Sequence, residues 1–448
     1  MRDRTLIVGQ IKSDEDQSVD GMMIETGTEK TTFDLNAPLT ANLRLSMITT
    51  AAGFLSGTVL IAMLGHFLPV ETFGEITYGF TVASLAQVIP TYGFQLLVVR
   101  EISQKRLSPD KTVINLIIAQ LFLSLITFLA SYLFIVLTQV PPELIGVISI
   151  FVTFGILGAF STVISAVNKG LNDFSIETKV AVVRSLLICV LVPLTIVLFS
   201  REAEIVGLAA VGSNLGGVLV ALILVRPNIK MNTSAMDLRQ IVALLRSGFP
   251  FALHLILGTL YFQVDTLIIG NLLGLEQVGM YQAATRLVSA ALPLSVIVNN
   301  VYLPRLSNSF ITETGENFSS EQRKLILIMG ALGISTTVFF VVLSHPLIAT
   351  IYGEKLAASV PILQIFSLVL LFRFVASGYG ILLIASQRQI VMVWTAAAMT
   401  VLNLSLNLIF IPRFGISASA WIGVLTNLSI LIIYIMAFHH WKVGVDSD

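Results

Sequence analysis

The charged side chains of Arg184, Asp265, Arg286 and Arg373 fall inside long apolar stretches of this sequence. A charge at such a position is expensive in hydrocarbon and is retained where it faces protein, water or a charged ligand. Arg373 sits near the middle of its stretch, where reaching an interface is hardest. Its planar donor fork suits a phosphate or another anion; the competing reading is a structural pair or bonds to helix carbonyls. Asp265 and Arg286 lie at similar depth on consecutive stretches, which allows an interhelical ion pair. That pair reads as a static clamp, with a gate or an ion-coupling site as the alternatives, since an acid in a wet cavity exchanges protons or binds a cation. Arg184 is only about two turns inside its stretch, within reach of the interface, and reads as a surface or access position.

The elements that must hold these groups follow from composition. Charged residues number 52 of 448, 55% of the chain is hydrophobic and the mean hydropathy is +0.90, where a soluble domain carries about 25% charged residues. Apolar stretches of roughly 20 residues are too long for barrel strands and must be helices, because backbone amides in a bilayer pair internally. Twelve such spans are predicted, near 44–65, 73–98, 112–138, 143–167, 178–199 and 204–225, then 247–270, 278–304, 325–348, 358–386, 390–411 and 416–438. The two sets of six correspond. Gly65, Leu68, Glu71, Gly74 and Arg100 recur 205 positions later as Gly270, Leu273, Glu276, Gly279 and Arg305. The expected fold is therefore an all-α polytopic membrane protein with about twelve transmembrane helices, in two six-helix lobes of parallel topology around a central cavity, most simply a transporter.

This predicts a polar tail over 1–40 without a cleaved signal peptide, lobes over 41–225 and 247–438, a linker over 226–246 and a short tail over 439–448. With the N-terminus in the cytosol, 20 of the 26 Lys and Arg residues lie on the cytosolic side, three lie outside (Arg201, Lys355, Arg413) and three lie within spans. The bias puts both termini in the cytosol.

Weaker features complete the reading. Arg100 and Arg305 stand at equivalent cytosolic ends, one per lobe, and with Arg184 could form an access rim for a pyrophosphate headgroup; positive-inside anchoring alone also accounts for them. Asn403 and Asn407, one turn apart, could line a sugar-compatible face or pack helices through amide bonds. Gly53 and Gly57 have the spacing of a close helix contact. Pro90, Pro193, Pro250 and Pro293 can kink spans. The sequence has no Walker A, dinucleotide or H-E-x-x-H motif, so neither catalytic nor metal residues are expected, and nothing suggests nucleic-acid binding. The single cysteine, Cys189, reads as a small buried hydrophobe.

The run DTLIIGNLLGLEQVGMYQAATRL at 265–287, with YLPRLS at 302–307, resembles the second-half signature of the oligosaccharide flippases of the multidrug/oligosaccharidyl-lipid/polysaccharide (MOP) superfamily. YGEKLAASVPILQIFSL at 352–368, the Asn403 and Asn407 pair and IPRFGISASA at 411–420 continue it, so the resemblance covers nearly the whole chain after residue 40. It implies alternating-access movement of an undecaprenyl-diphosphate-linked oligosaccharide from the cytosolic to the outer leaflet of a bacterial inner membrane, for surface polysaccharide synthesis. Arg286 and Arg373, with Asn403 and Asn407, would form the cavity site, and Arg100, Arg305 and Arg184 the access rim. Asp265, matching the family's common acidic position, would serve ion coupling or a gate. No cofactor beyond a coupling H+ or Na+ is implied; a polysaccharide polymerase and glycosyltransferases are the implied partners, with membrane lipids around the chain. A cation-coupled multidrug antiporter and a nontransporting scaffold of a glycan-assembly complex are the alternatives.

Overall fold

The computed structural model describes residues 36–225, 236–312 and 315–445, and every element in them is helical. The first lobe contains α1 (Asn36–Phe67), α2 (Val70–Thr91), α3 (Phe94–Ser103), α4 (Pro109–Thr138), α5 (Pro142–Gly170), α6 (Ser175–Leu198) and α7 (Ala203–Val225). The second contains α8 (Leu238–Leu273), α9 (Leu275–Ser289), α10 (Leu292–Thr312), α11 (Gly315–Val342), α12 (Ser344–Tyr352), α13 (Val360–Ala385), α14 (Ile390–Phe414) and α15 (Ile416–Val445), with a 3-10 turn at Glu354–Ser359. Twelve helical spans in them are long and apolar enough to cross a membrane, as composition predicts. Of the expected tail over 1–40, residues 1–35 lie outside the described residues, as do 226–235 of the expected linker. The last helix continues past residue 438 to Val445.

Both lobes are built by one packing scheme. α1 packs on α6, α6 on α7 and α5 on α7; in the second lobe α8 packs on α14, α14 on α15 and α13 on α15. Small polar groups fix α1 against its parallel neighbour α6: Thr49 bonds Thr178 at 3.0 Å and Ser56 bonds Ser185 at 3.1 Å. The contacts recur every seven residues, the spacing at which one face of a helix returns to its neighbour.

The duplicated signature has a tertiary meaning. Gly74 on α2 and Gly279 on α9 face each other across the lobe interface. A Cβ at Gly74 would strike the carbonyl of Leu275, and one at Gly279 would lie 2.7 Å from the carbonyl of Val70, which is the position equivalent to Leu275. The contact is therefore self-complementary, as a two-fold axis requires. Gly65 and Gly270 extend it: the ring of Tyr352 rests on Gly65 and that of Tyr78 on Gly270, each tyrosine coming from the opposite lobe. Tyr78 Oη also donates to Asn271 Oδ1 at 3.2 Å. Lys355 completes this end by donating to the carbonyls of His66, at 2.8 Å, and Leu68, where α1 ends. A cation on terminal carbonyls is favoured by the helix dipole.

α8 ties the lobes together at the opposite end. Ile241 and Leu244, in its first turns, belong to a hydrophobic cluster with Phe94, Leu97 and Leu116 of the first lobe. Gln240 accepts from Asn115 of α4 at 2.7 Å. The chain breaks between α2 and α3 at Tyr92 and Gly93, both with positive φ (47° and 68°). That break lets Gly93 lie against Phe251 of α8, where a Cβ would collide. The corresponding break between α9 and α10 lies at Ala290 and Ala291, just before Pro293, so the two copies bend at different registers.

Candidate functional site

A pocket lies beside the first helix of each lobe, the larger one also walled by second-lobe residues, and the repeat relates the two. In the first lobe Ser56, Gly57, Thr58 and Leu60 line a cavity of 580 Å³. At the equivalent positions Tyr261, Phe262, Gln263 and Asp265 line a 250 Å³ pocket in the second lobe. Asn214 and Asn427, both eleven residues into α7 and α15, complete the correspondence. Two aromatic side chains in place of serine and glycine explain why the second pocket is narrower.

Gly53 and Gly57 make room for the larger cavity. No atom lies within 4 Å of where a Cβ would stand at either position. Their spacing thus leaves a concave wall and no close helix contact, contrary to the expectation from the motif alone.

Arg184 faces this same cavity. Its stem packs on Gly217 of α7, with atoms 3.6–3.8 Å from that glycine's Cβ position, and directs the side chain into the cavity lining. This orientation puts Arg184 on the cavity wall and not at the bilayer surface. Arg286, from α9 of the second lobe, lines both the large cavity and the second-lobe pocket. Among the described residues, no carboxylate forms an ion pair with Arg184, Arg286 or Arg373.

The expected Asp265–Arg286 ion pair does not form. The two groups are instead linked through a neutral relay: Arg286 Nε donates to Gln282 Oε1 at 3.1 Å, and Gln282 Nε2 donates to Thr266 Oγ1 at 2.8 Å. Asp265 accepts from the Thr266 backbone N–H at 2.7 Å and from the Tyr281 hydroxyl, which in turn accepts from Ser419 at 3.2 Å. Gln282 stands one turn from Arg286 on α9, within easy helical reach. Thr266 follows Asp265 in sequence, so two local contacts outcompete the long-range pair.

Arg373 lines the second-lobe pocket with Asn403. It stacks 4.8 Å over the Phe262 ring, and its Nη1 lies 3.5 Å from Asn427 Oδ1. Asn407 does not reach the pocket. It is fully buried and donates at 2.9 Å to both Asn403 oxygens, which makes it a packing residue. Replacing Asn407 with alanine is expected to lower the melting temperature, through loss of about 1–3 kcal/mol, while ligand affinity stays unchanged; thermal unfolding beside a binding titration checks this.

Arg100 and Arg305 are equivalent in sequence and different in setting. Arg100 pairs with its neighbour Glu101 at 2.7 Å and lies 5.3 Å over Phe251 of the other lobe, with about half of its side chain exposed. Arg305 is exposed and rests 5.9 Å from the ring of Tyr302, three residues away.

Tyr352 is a cavity-lining residue that the sequence does not single out. The ninth span ends at Val342, and α12 brings Tyr352 to the cavity beside Arg286 and against Gly65. Its one sequence signal is Pro346 in the first turn of α12, where a missing N–H costs no helical hydrogen bond.

The sequence profile of the family described as polysaccharide biosynthesis protein matches residues 39–310, more than half of the chain. The chain belongs to that family. Its twelve long apolar helical spans are those of a multi-pass membrane protein. A Shigella dysenteriae protein named as an O-antigen transporter is 22% identical over 338 residues, covering 72% of this chain and 80% of that one. The teichuronic acid biosynthesis protein TuaB of Bacillus subtilis (strain 168) is 29% identical over 150 residues, 32% of this chain and 30% of its own length. Among solved structures, the lipid II flippase MurJ in an inward closed conformation superposes with a TM-score of 0.69, at 16% identity and covering 88% of this chain and 87% of that one. An inward-facing multidrug resistance MATE family transporter of the MOP superfamily superposes with a TM-score of 0.68, at 13% identity and covering 89% and 94%. These likenesses show a shared two-bundle fold. No cluster of three or more His, Cys, Asp or Glu suited to a metal ion occurs among the described residues.

Proposed function

We propose that this protein is a transporter of the MOP superfamily that flips a lipid-linked oligosaccharide, joined to an undecaprenyl tail through a diphosphate, from the cytosolic to the outer leaflet by alternating access. The observation that carries the reading is the pair of arginines from opposite lobes, Arg184 and Arg286, facing one cavity without a carboxylate partner among the described residues. Holding two guanidinium groups there is costly unless an anion neutralises them, and a diphosphate offers charge and oxygen acceptors to both forks. The same charge opposes entry of organic cations, which disfavours a cation-exporting antiporter. The lipid tail stays in the bilayer while the glycan crosses through water, so its hydroxyl groups are never buried in hydrocarbon.

Both termini lie in the cytosol on this reading, as the distribution of basic residues favours, and the closed seam around Gly74 and Gly279 is then the outer gate. Asp265 is the candidate for coupling to H+ or Na+, since its carboxylate is held by hydroxyl and amide donors with no cationic partner among the described residues. A polysaccharide polymerase and glycosyltransferases would act on the same cargo.

The test uses proteoliposomes of defined orientation loaded with an undecaprenyl-diphosphate-linked oligosaccharide. Lectin should detect glycan at the trans surface only when the protein is present. Absence of exposure with several glycans, together with ion-driven efflux of an organic cation, would replace this reading with drug antiport.

A further inference from the structure

The second-lobe pocket has a chemistry of its own. Its 250 Å³ lies below the roughly 300–1,000 Å³ of drug-sized ligand sites, space for one sugar ring and not for an oligosaccharide. The aromatic rings of Tyr261 and Phe262 stand at 84° to each other, with centroids 5.3 Å apart, and form two walls of a corner. Rings offer an apolar platform to the hydrogens of a pyranose face, with a polar handle on tyrosine. Asn403 and Asn427 add amide groups to the lining.

The charges decide what kind of ring fits. Arg373 and Asp265 line one pocket and form no ion pair with each other. Arg373 is positioned by the Phe262 face and by one long bond to Asn427. A guanidinium carries five donors, so most of its capacity is available to a ligand. Asp265 is steadied by Tyr281 and Thr266, and a carboxylate has acceptor capacity beyond those bonds. A ligand that satisfies both must present an anionic group to Arg373 and hydroxyl donors to Asp265. The repeat isolates the feature: the first-lobe equivalents of Tyr261, Phe262 and Asp265 are Ser56, Gly57 and Leu60, so only the second lobe has this arrangement.

We infer that the second-lobe pocket is a monosaccharide subsite, separate from the Arg184–Arg286 anion site, in which Arg373 selects an acidic pyranose while Asp265 and the two asparagines engage its hydroxyls. The inference rests on the reading of the cargo as a lipid-linked glycan. Arg286 borders both spaces, so a sugar next to a diphosphate reaches the subsite while its diphosphate lies on Arg286.

Two measurements on the full-length protein in nanodiscs separate the subsite from the diphosphate site. Saturation-transfer NMR with free methyl glucuronide, methyl glucoside and glucose 6-phosphate probes the subsite alone. The glucuronide signal should exceed the glucoside signal in wild type and fall to the glucoside level in Arg373→Gln, with partial recovery in Arg373→Lys. A glucose 6-phosphate signal that also depends on Arg373 would identify a phosphate-bearing sugar as an equal ligand of the same chemistry. The second measurement titrates undecaprenyl diphosphate carrying no sugar. Arg373→Gln should bind it within about twofold of wild type, and Arg286→Gln should bind it at least about tenfold more weakly. Equal signals from glucuronide and glucoside in wild type, or a glucuronide preference that survives Arg373→Gln, would overturn the subsite whatever the lipid titration shows. Failure of wild type to bind undecaprenyl diphosphate would instead remove the proposed cargo and leave the sugar result standing.

Discussion

Replacing Gly74 with alanine is expected to open the lobe seam and to reduce transport by roughly fivefold to more than a hundredfold, the equivalent of about 1–3 kcal/mol of overpacking. The added Cβ would meet the backbone carbonyl of Leu275, which cannot rotate away as a side chain can. Gly279→Ala should act the same way through the carbonyl of Val70. Alanine favours a helix over glycine by up to about 1 kcal/mol, so the defect cannot come from weakening α2 or α9 themselves. Gly330→Ala is the control, because nothing lies within 4 Å of a Cβ there. In a Cys189→Ser background, a reporter cysteine at Ser289, which lines the cavity, should be protected from an impermeant maleimide applied from the seam side. The two seam variants should expose it and Gly330→Ala should not. Continued protection with normal transport in Gly74→Ala would show that the lobes do not need this contact to close.

The same glycines show how far the sequence can be read. Their recurrence at a fixed offset reveals a duplication and hence two lobes, because a repeat is a property of the chain alone. That Gly74 meets Gly279, and that Tyr352 and Tyr78 sit on Gly65 and Gly270, is a property of the assembled pair of lobes. Hydropathy located the spans for a similar reason, since the bilayer imposes length and apolarity on each helix independently. It cannot supply azimuth. Arg184 is shallow by position yet faces the cavity, because the face of α6 on which it stands is set by packing on Gly217. Asp265 and Arg286 were matched in depth, and a glutamine and a threonine close at hand took their bonds. Asn407 lies one turn from Asn403 and bonds to it, but only Asn403 opens to the pocket. α12 escaped notice because Ser344–Tyr352 continues the apolar character of the preceding span and is marked only by Pro346.

Arg184→Gln and Arg286→Gln should each weaken undecaprenyl diphosphate binding by about 1.5–3 kcal/mol, or roughly 10- to 150-fold, as expected for a lost charge-assisted hydrogen bond. The double variant should lose less than the product of the two. One diphosphate held from both sides is positioned by either arginine for the other, and groups sharing a partner show interaction energies of about 0.5–3 kcal/mol. The geometry makes this informative, because the two residues belong to different lobes and line the same 580 Å³ cavity. Lysine at either position should recover part of the affinity, since it restores the charge but not the planar fork. A double-mutant cycle by titration in nanodiscs reads the coupling directly. Additive losses would place the arginines on separate anions, and an Arg184→Gln effect below about twofold would return that residue to a structural role beside α7. Strong coupling would mean that the cargo itself draws the two lobes together, giving the bound diphosphate a differential affinity between conformations, which alternating access requires.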